Sequence, residues 1–156
     1  MIQSLEALLR EWKETREMTL EFVNKLSDED LDKKLPRKVL NTIRLQVYEL
    51  ILFQRDVVNA LPTTLLQYED EYKYENLPKE ILVNKMLRLD TKLETVLKLL
   101  DGTEMLDYYG TETNVHQIMS MMISHESMHL GQIIAFCYAT GIEIPKKVTE
   151  EMVLEG

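Results

Sequence analysis

The stretch Val115–Thr140 limits what this chain can fold into more than any other. Thr113 before it reads as a cap and Gly141 after it as a stop, so one long helix is expected between them. Ile118, Met122, His125, His129, Gln132 and Phe136 follow one another by steps of four and three and share one helical face. Apolar members of such a face point into a core, so two histidines, one turn apart, interrupt a core stripe. Burying two imidazoles without partners is costly. Hydrogen bonds to neighbouring helices would satisfy each ring separately; a shared metal ion would use both nitrogen lone pairs at once, and the i, i+4 pairing favours the metal.

The segment His125-Glu126-Ser127-Met128-His129 also matches the HExxH string of zinc hydrolases, in which the glutamate acts as general base on metal-bound water. On that ground Glu126 is a catalytic candidate. Its direction, about 100° around the helix from His125, equally suits a carboxylate that steadies one of the histidines. A zincin-like hydrolase remains an alternative, although no third ligand is evident downstream: Glu150 and Glu151 follow the interruptions at Gly141 and Pro145.

The other helices follow from the same periodicity. A first runs from Ser4 to about Leu26, with Leu5, Leu9, Trp12, Thr19 and Phe22 in register, broken near Thr15 and Arg16. Asp28 to Asp30 is expected as a solvated acidic run that starts a short extra turn. Pro36 marks the entry to a second long helix, about Arg37 to Leu61, closed by Pro62. Ile43, Val47, Leu50, Ile51 and Val58 form its apolar face, and Glu49 lies on the flank, a wet glutamate on periodicity alone. A third helix spans about Lys79 to Leu100 and stops at Gly102. Between Pro62 and Pro78 lies a long acidic connection with three tyrosines, and Asp107-Tyr108-Tyr109-Gly110 is a turn into the final long helix. A short last helix begins at Lys146. No strand is evident, and a sheet of three or more strands is not expected. The fold class is therefore all-α, a four-helix bundle with a long crossover between helices two and three, forming one domain over residues 1–156.

Composition narrows the partners. A net charge of −9 leaves no basic surplus for a polyanion, so nucleic acid is not an expected partner. No apolar run reaches the roughly 20 residues needed to cross a bilayer, and the first residues lack the basic start and apolar block of a secretion signal. The single cysteine, Cys137, cannot form an internal disulfide, which points to a reducing cytoplasm, and its surroundings in sequence suggest a buried apolar residue.

Two segments resemble a known family. His125-Glu126-Ser127-Met128-His129-Leu130-Gly131-Gln132-Ile133 is similar to the HExxHxGQI signature of the DinB-like four-helix bundles, and Thr42 to Leu50 with Asn59-Ala60-Leu61 resembles that family's second helix. The resemblance implies a divalent metal, zinc, nickel or iron, held by two histidines of the last long helix and one of the second. Carried over, the pair is His125 and His129, and the third position falls on Glu49, a departure from the family's histidine. Gln46, one turn earlier, is a weaker stand-in, and His116 lies about 180° around the helix from His125. The resemblance further implies a metal-dependent enzyme of the thiol S-transferase or hydrolase type. It would use a small-molecule substrate and a low-molecular-weight thiol, and act as a homodimer through leucine- or methionine-rich helix faces. The alternative is a non-catalytic dimeric bundle whose metal site has degenerated.

Overall fold

The computed structural model describes residues 2–66 and 77–154. Tyr68, Tyr72 and Tyr74 of the connection after Pro62 lie outside them. The described chain forms α1 (Gln3–Lys25), α2 (Asp28–Asp32), α3 (Ile43–Ala60), β1 (Leu65–Leu66), α4 (Lys79–Leu97), β2 (Met105–Tyr108), β3 (Thr111–Asn114), α5 (Val115–Thr140) and α6 (Lys146–Met152).

The four long helices contact one another in a closed circuit, α1 against α5, α5 against α3, α3 against α4 and α4 against α1. Their inner faces build two apolar clusters. One gathers Leu5 and Trp12 of α1, Val57 and Val58 of α3, Leu93 of α4 and Ile118 and Met122 of α5; the other gathers Phe22, Ile43, Val47, Leu82, Met86, Leu130 and Phe136. Each side chain taken out of water in this way stabilises the fold by about 1.5–3 kcal/mol. Because α1 and α5 enter the first cluster with their N-terminal halves while α3 and α4 enter it with their C-terminal halves, α1 runs parallel to α5, and α3 and α4 run the opposite way. Two consecutive parallel helices need a chain crossover between them, which is what the long segment after Pro62 supplies.

Several expectations are corrected. The chain is mostly helical but not all-α. β1 pairs in parallel with β2 and β2 antiparallel with β3, giving a three-stranded sheet in the order β1-β2-β3. The hairpin turns at Tyr109 and Gly110, both with positive φ, the backbone that two-residue hairpin turns require. The second long helix starts at Ile43, not near Pro36, because Thr42 takes an extended backbone and its hydroxyl accepts the amide of Leu45 at 3.1 Å. The acidic run after Ser27 is not merely solvated: Asp28 and Asp32 hold the buried guanidinium of Arg44 at 2.8 and 2.7 Å, and the carbonyl of Leu77 accepts a further bond from it. That contact raises the hold on Arg44's proton and keeps Asp28 below the usual carboxylate range.

The last long helix has the bounds read from sequence. Its cap is Asn114 rather than Thr113, in a reciprocal capping box with Gln117, and Gly141 ends it in the left-handed region at φ 68°. Ser4 does not cap α1; its hydroxyl meets His116 Nε2 at 2.8 Å.

Candidate metal centre

His125 and His129 come off adjacent turns of α5 with ring centroids 4.6 Å apart in an edge-on arrangement. They meet different neighbours. His125 is half-buried, stacks on Phe53 of α3 at 4.0 Å between centroids, and has a buried Nδ1 without a hydrogen-bond partner among the described residues. His129 is only 2% exposed, and its Nδ1 meets Oε1 of the buried Gln46.

The amide of Gln46 fixes the chemistry of that contact. Its Nε2 donates to the carbonyl of Leu40 at 2.8 Å, so its oxygen is the atom turned toward the ring. An amide oxygen only accepts, so Nδ1 of His129 carries the proton and Nε2 carries the free lone pair. Leu40 can offer its carbonyl there because the backbone turns through a left-handed residue, φ 49°, just before Thr42. Gln46, considered above as a substitute ligand, instead orients a histidine, the arrangement by which outer partners set the tautomer of metal-binding imidazoles.

Both rings are neutral at physiological pH. Burial pulls His125 down to about 4, with the positive charge of Arg16, and that of His129 once protonated, adding to it, and burial with the nearby charge of Arg37 brings His129 to about 4. Arg37 also donates to Gln132 Oε1 at 3.1 Å, so Gln132 is occupied by a side chain rather than by a backbone carbonyl.

His125 lines a cleft of about 610 Å³ together with Glu49, Phe53, Tyr108, Ser120, Met121, Ser124 and Met128. Glu49 and His125 thus share the wall of one cleft, and His129, in ring contact with His125, does not line it. Among the described residues no three His, Cys, Asp or Glu side chains are grouped so as to hold a metal ion. The donor set nevertheless fits a divalent ion in part: two neutral imidazoles in contact, one with its tautomer fixed, one with an unpartnered buried nitrogen, and a carboxylate on the same cleft.

Glu126 is not a member of that wall. It is 2% exposed and points to α1, where Thr19 donates to its Oε1 at 2.7 Å and Arg16 Nη2 lies 3.0 Å from its Oε2. Burial pushes its carboxyl up while Arg16 and Thr19 pull it down. The geometry that a zincin-like general base needs, a carboxylate facing the open side of the histidine pair, is absent at this residue. The string HExxH here joins a histidine pair to a core carboxylate that is bonded to α1. Arg16 gave a faint signal of this in the sequence, as the break in α1's apolar stripe near Thr15 and Arg16. Cys137 is fully buried, and burial raises its thiol to about 11, which agrees with an inert core residue. No helix of the described residues is long and apolar enough to cross a membrane.

Comparison with known proteins follows the same lines. The chain resembles the crystal structure of a DinB-like protein from Bacillus cereus ATCC 10987, with a TM-score of 0.74 and 20% identity over 93% of this chain and 98% of that one. At that identity the likeness is one of fold. No curated protein matches the chain. The profile of the DinB superfamily matches residues 11–133, which takes in Gln46, Glu49, both histidines and the greater part of all four long helices. The chain belongs to the DinB superfamily.

Proposed function

We propose that this chain is a four-helix-bundle enzyme that binds a divalent metal ion, zinc, nickel or iron, through His125 and His129, with Glu49 as the third protein group. Its substrate is a small molecule held in the cleft beside His125, with a low-molecular-weight thiol as co-substrate. The observation that carries the reading is the Gln46 contact, since it leaves His129 with its Nε2 lone pair presented and its other nitrogen anchored. The unpartnered Nδ1 of His125 supports it. An ion held there supplies a Lewis acid that lowers the pKa of a bound thiol or water. The residues themselves do the rest: Phe53 holds His125 by stacking, Glu49 brings negative charge to the cleft, and Met121, Met128 and Tyr108 give it a largely apolar lining.

Zinc titration followed by calorimetry tests the reading. The wild-type protein should bind about one ion per chain, His129→Ala should lose that binding, and Gln46→Leu should weaken it by about 10–100-fold. Equal metal content in wild type and His129→Ala would reject the site and leave the non-catalytic bundle as the better reading.

The proposal includes a homodimer through the outer face of α5. Ser127, Gly131, Ala135 and Tyr138 are exposed there and none of them lines the cleft, and Glu126, the only charged residue of α5, is buried. In a chain of net charge −9 this is a long surface on which a second copy meets no like charge.

A further inference from the structure

Between the two apolar clusters lies a layer of polar groups, buried except for the partly exposed Asp90, to which each long helix contributes. α1 gives Arg16 and Thr19, α3 gives Gln54, α4 gives Asp90 and α5 gives Glu126. On every one of the four helices these residues fall between the last member of one cluster and the first of the other: Trp12 and Phe22, Leu52 and Val57, Met86 and Leu93, Met122 and Leu130. The bonds run unbroken across the molecule. Arg16 Nη2 donates to Gln54 Oε1 at 3.0 Å and pairs with Glu126 Oε2 at 3.0 Å; Gln54 Nε2 donates to Asp90 Oδ1 at 2.8 Å; Thr19 donates to Glu126 Oε1 at 2.7 Å.

The layer is poorly explained as a source of stability. Arg16 is 2% exposed, yet its Nε and Nη1 have no hydrogen-bond partner among the described residues, and its Nε stands 3.8 Å from Asp90. Buried donors left in this state cost about 1–3 kcal/mol each. A buried ion pair replaced by well-packed apolar groups is often neutral or stabilising, and the best-attested gain from keeping one is register. Apolar stripes spaced by threes and fours can slide by a turn, about 5.4 Å, and still bury their leucines; a single guanidinium bonded to both α3 and α5 cannot.

We infer that Arg16 and Glu126 are positioning residues for the histidine pair, fixing the axial register of α5 against α1 and α3 so that His129 meets Gln46 and His125 meets Phe53. Glu126 lies between the two histidines in sequence and faces away from the cleft, so its anchorage to α1 sets the height at which both rings stand. The importance of that height for function rests on the metal-site reading above, but the register itself does not.

The test is made without metal. Long-range ¹H–¹⁵N spectra of the imidazoles report which nitrogen of His129 carries the proton, a property that general packing does not dictate. Wild type should show one set of signals with the proton on Nδ1. The double variant Arg16→Met/Glu126→Leu should remain folded with a urea midpoint no lower than wild type. It should lose the uniform Nδ1–H form of His129 and show multiple or broadened imidazole and Trp12 indole signals. Glu126→Gln, which keeps the length, can accept from Arg16 through its amide oxygen while its Nε2 donates to Thr19 Oγ1, and should give the single wild-type set. A single wild-type-like set from the double variant overturns the inference. If the double variant does not fold, Arg16→Gln/Glu126→Gln carries the same test, and a wild-type spectrum from it overturns the inference in the same way. Failure of wild type to bind zinc rejects the functional reading and leaves this spectral outcome to be judged on its own.

Discussion

At the residue scale, the histidine pair was legible because its spacing placed both rings on a core stripe. What the spacing could not give was the partner of each ring. Gln46 sits on another helix, and its role depends on a left-handed residue at Leu40 that no periodicity announces. Glu126 illustrates the reverse: adjacent to a histidine in sequence, it turns about 100° around the helix and bonds to α1. The depressed His129 makes a prediction with a definite sign. Its folded value of about 4 lies below the ordinary 6.5, so the unfolded chain takes up the proton first as pH falls. The stability tied to the neutral ring is complete above pH 6.5 and is lost as pH drops toward 4. Relative to a His129→Gln variant, wild type should lose about 2 kcal/mol of unfolding free energy between pH 6.5 and 5. Urea unfolding of both proteins at the two pH values measures this, and a difference that does not change with pH would mean that the ring titrates normally in the fold.

At the element scale, helix interiors were read well and helix ends unevenly. Gly141 stops α5 as its conformational freedom suggests, whereas the start of α3 was placed too early, because Pro36 is a strong punctuation mark and the quieter Asn41-Thr42 pair holds the actual cap. The strands went unread for a different reason. β1 has two residues and β2 and β3 four each, with Leu106 and Thr113 the only buried members of β2 and β3, too few to display a period of two. The turn between them was visible; the ladder was not. The capping box at the head of α5 should matter in proportion to its two bonds. Asn114→Ala should lower the unfolding free energy by about 1 kcal/mol, measured by chemical denaturation, while leaving the imidazole spectra intact. A loss below a few tenths would show that Gln117 or solvent satisfies the freed amides equally well.

At the scale of the whole molecule, the helical character and the family were readable, and the antiparallel sense of the two helix pairs follows from which halves share a cluster. The polar layer was not readable, since it is assembled from one or two residues per helix, each unremarkable alone. The proposed dimer also belongs to this scale. Light scattering should give twice the chain mass for wild type at micromolar concentration, and Ala135→Glu, which brings a charge to the exposed face of α5, should return the chain mass with the histidine tautomers unchanged. A wild-type monomer at high micromolar concentration would reject the dimer.

The parallel pairing of α1 with α5 has a consequence for synthesis. About 90 residues separate Lys25 from Val115, yet α1 finds on α5 the partner that covers much of Leu5, Trp12 and Phe22 and neutralises Arg16. At a translation rate of about 5–20 residues per second, α1 leaves the ribosome roughly 5–20 s before that partner exists. During this interval the nascent chain exposes an apolar stripe with a charged arginine set into it, a combination that discourages α1 segments on neighbouring nascent chains from associating while each awaits its own α5.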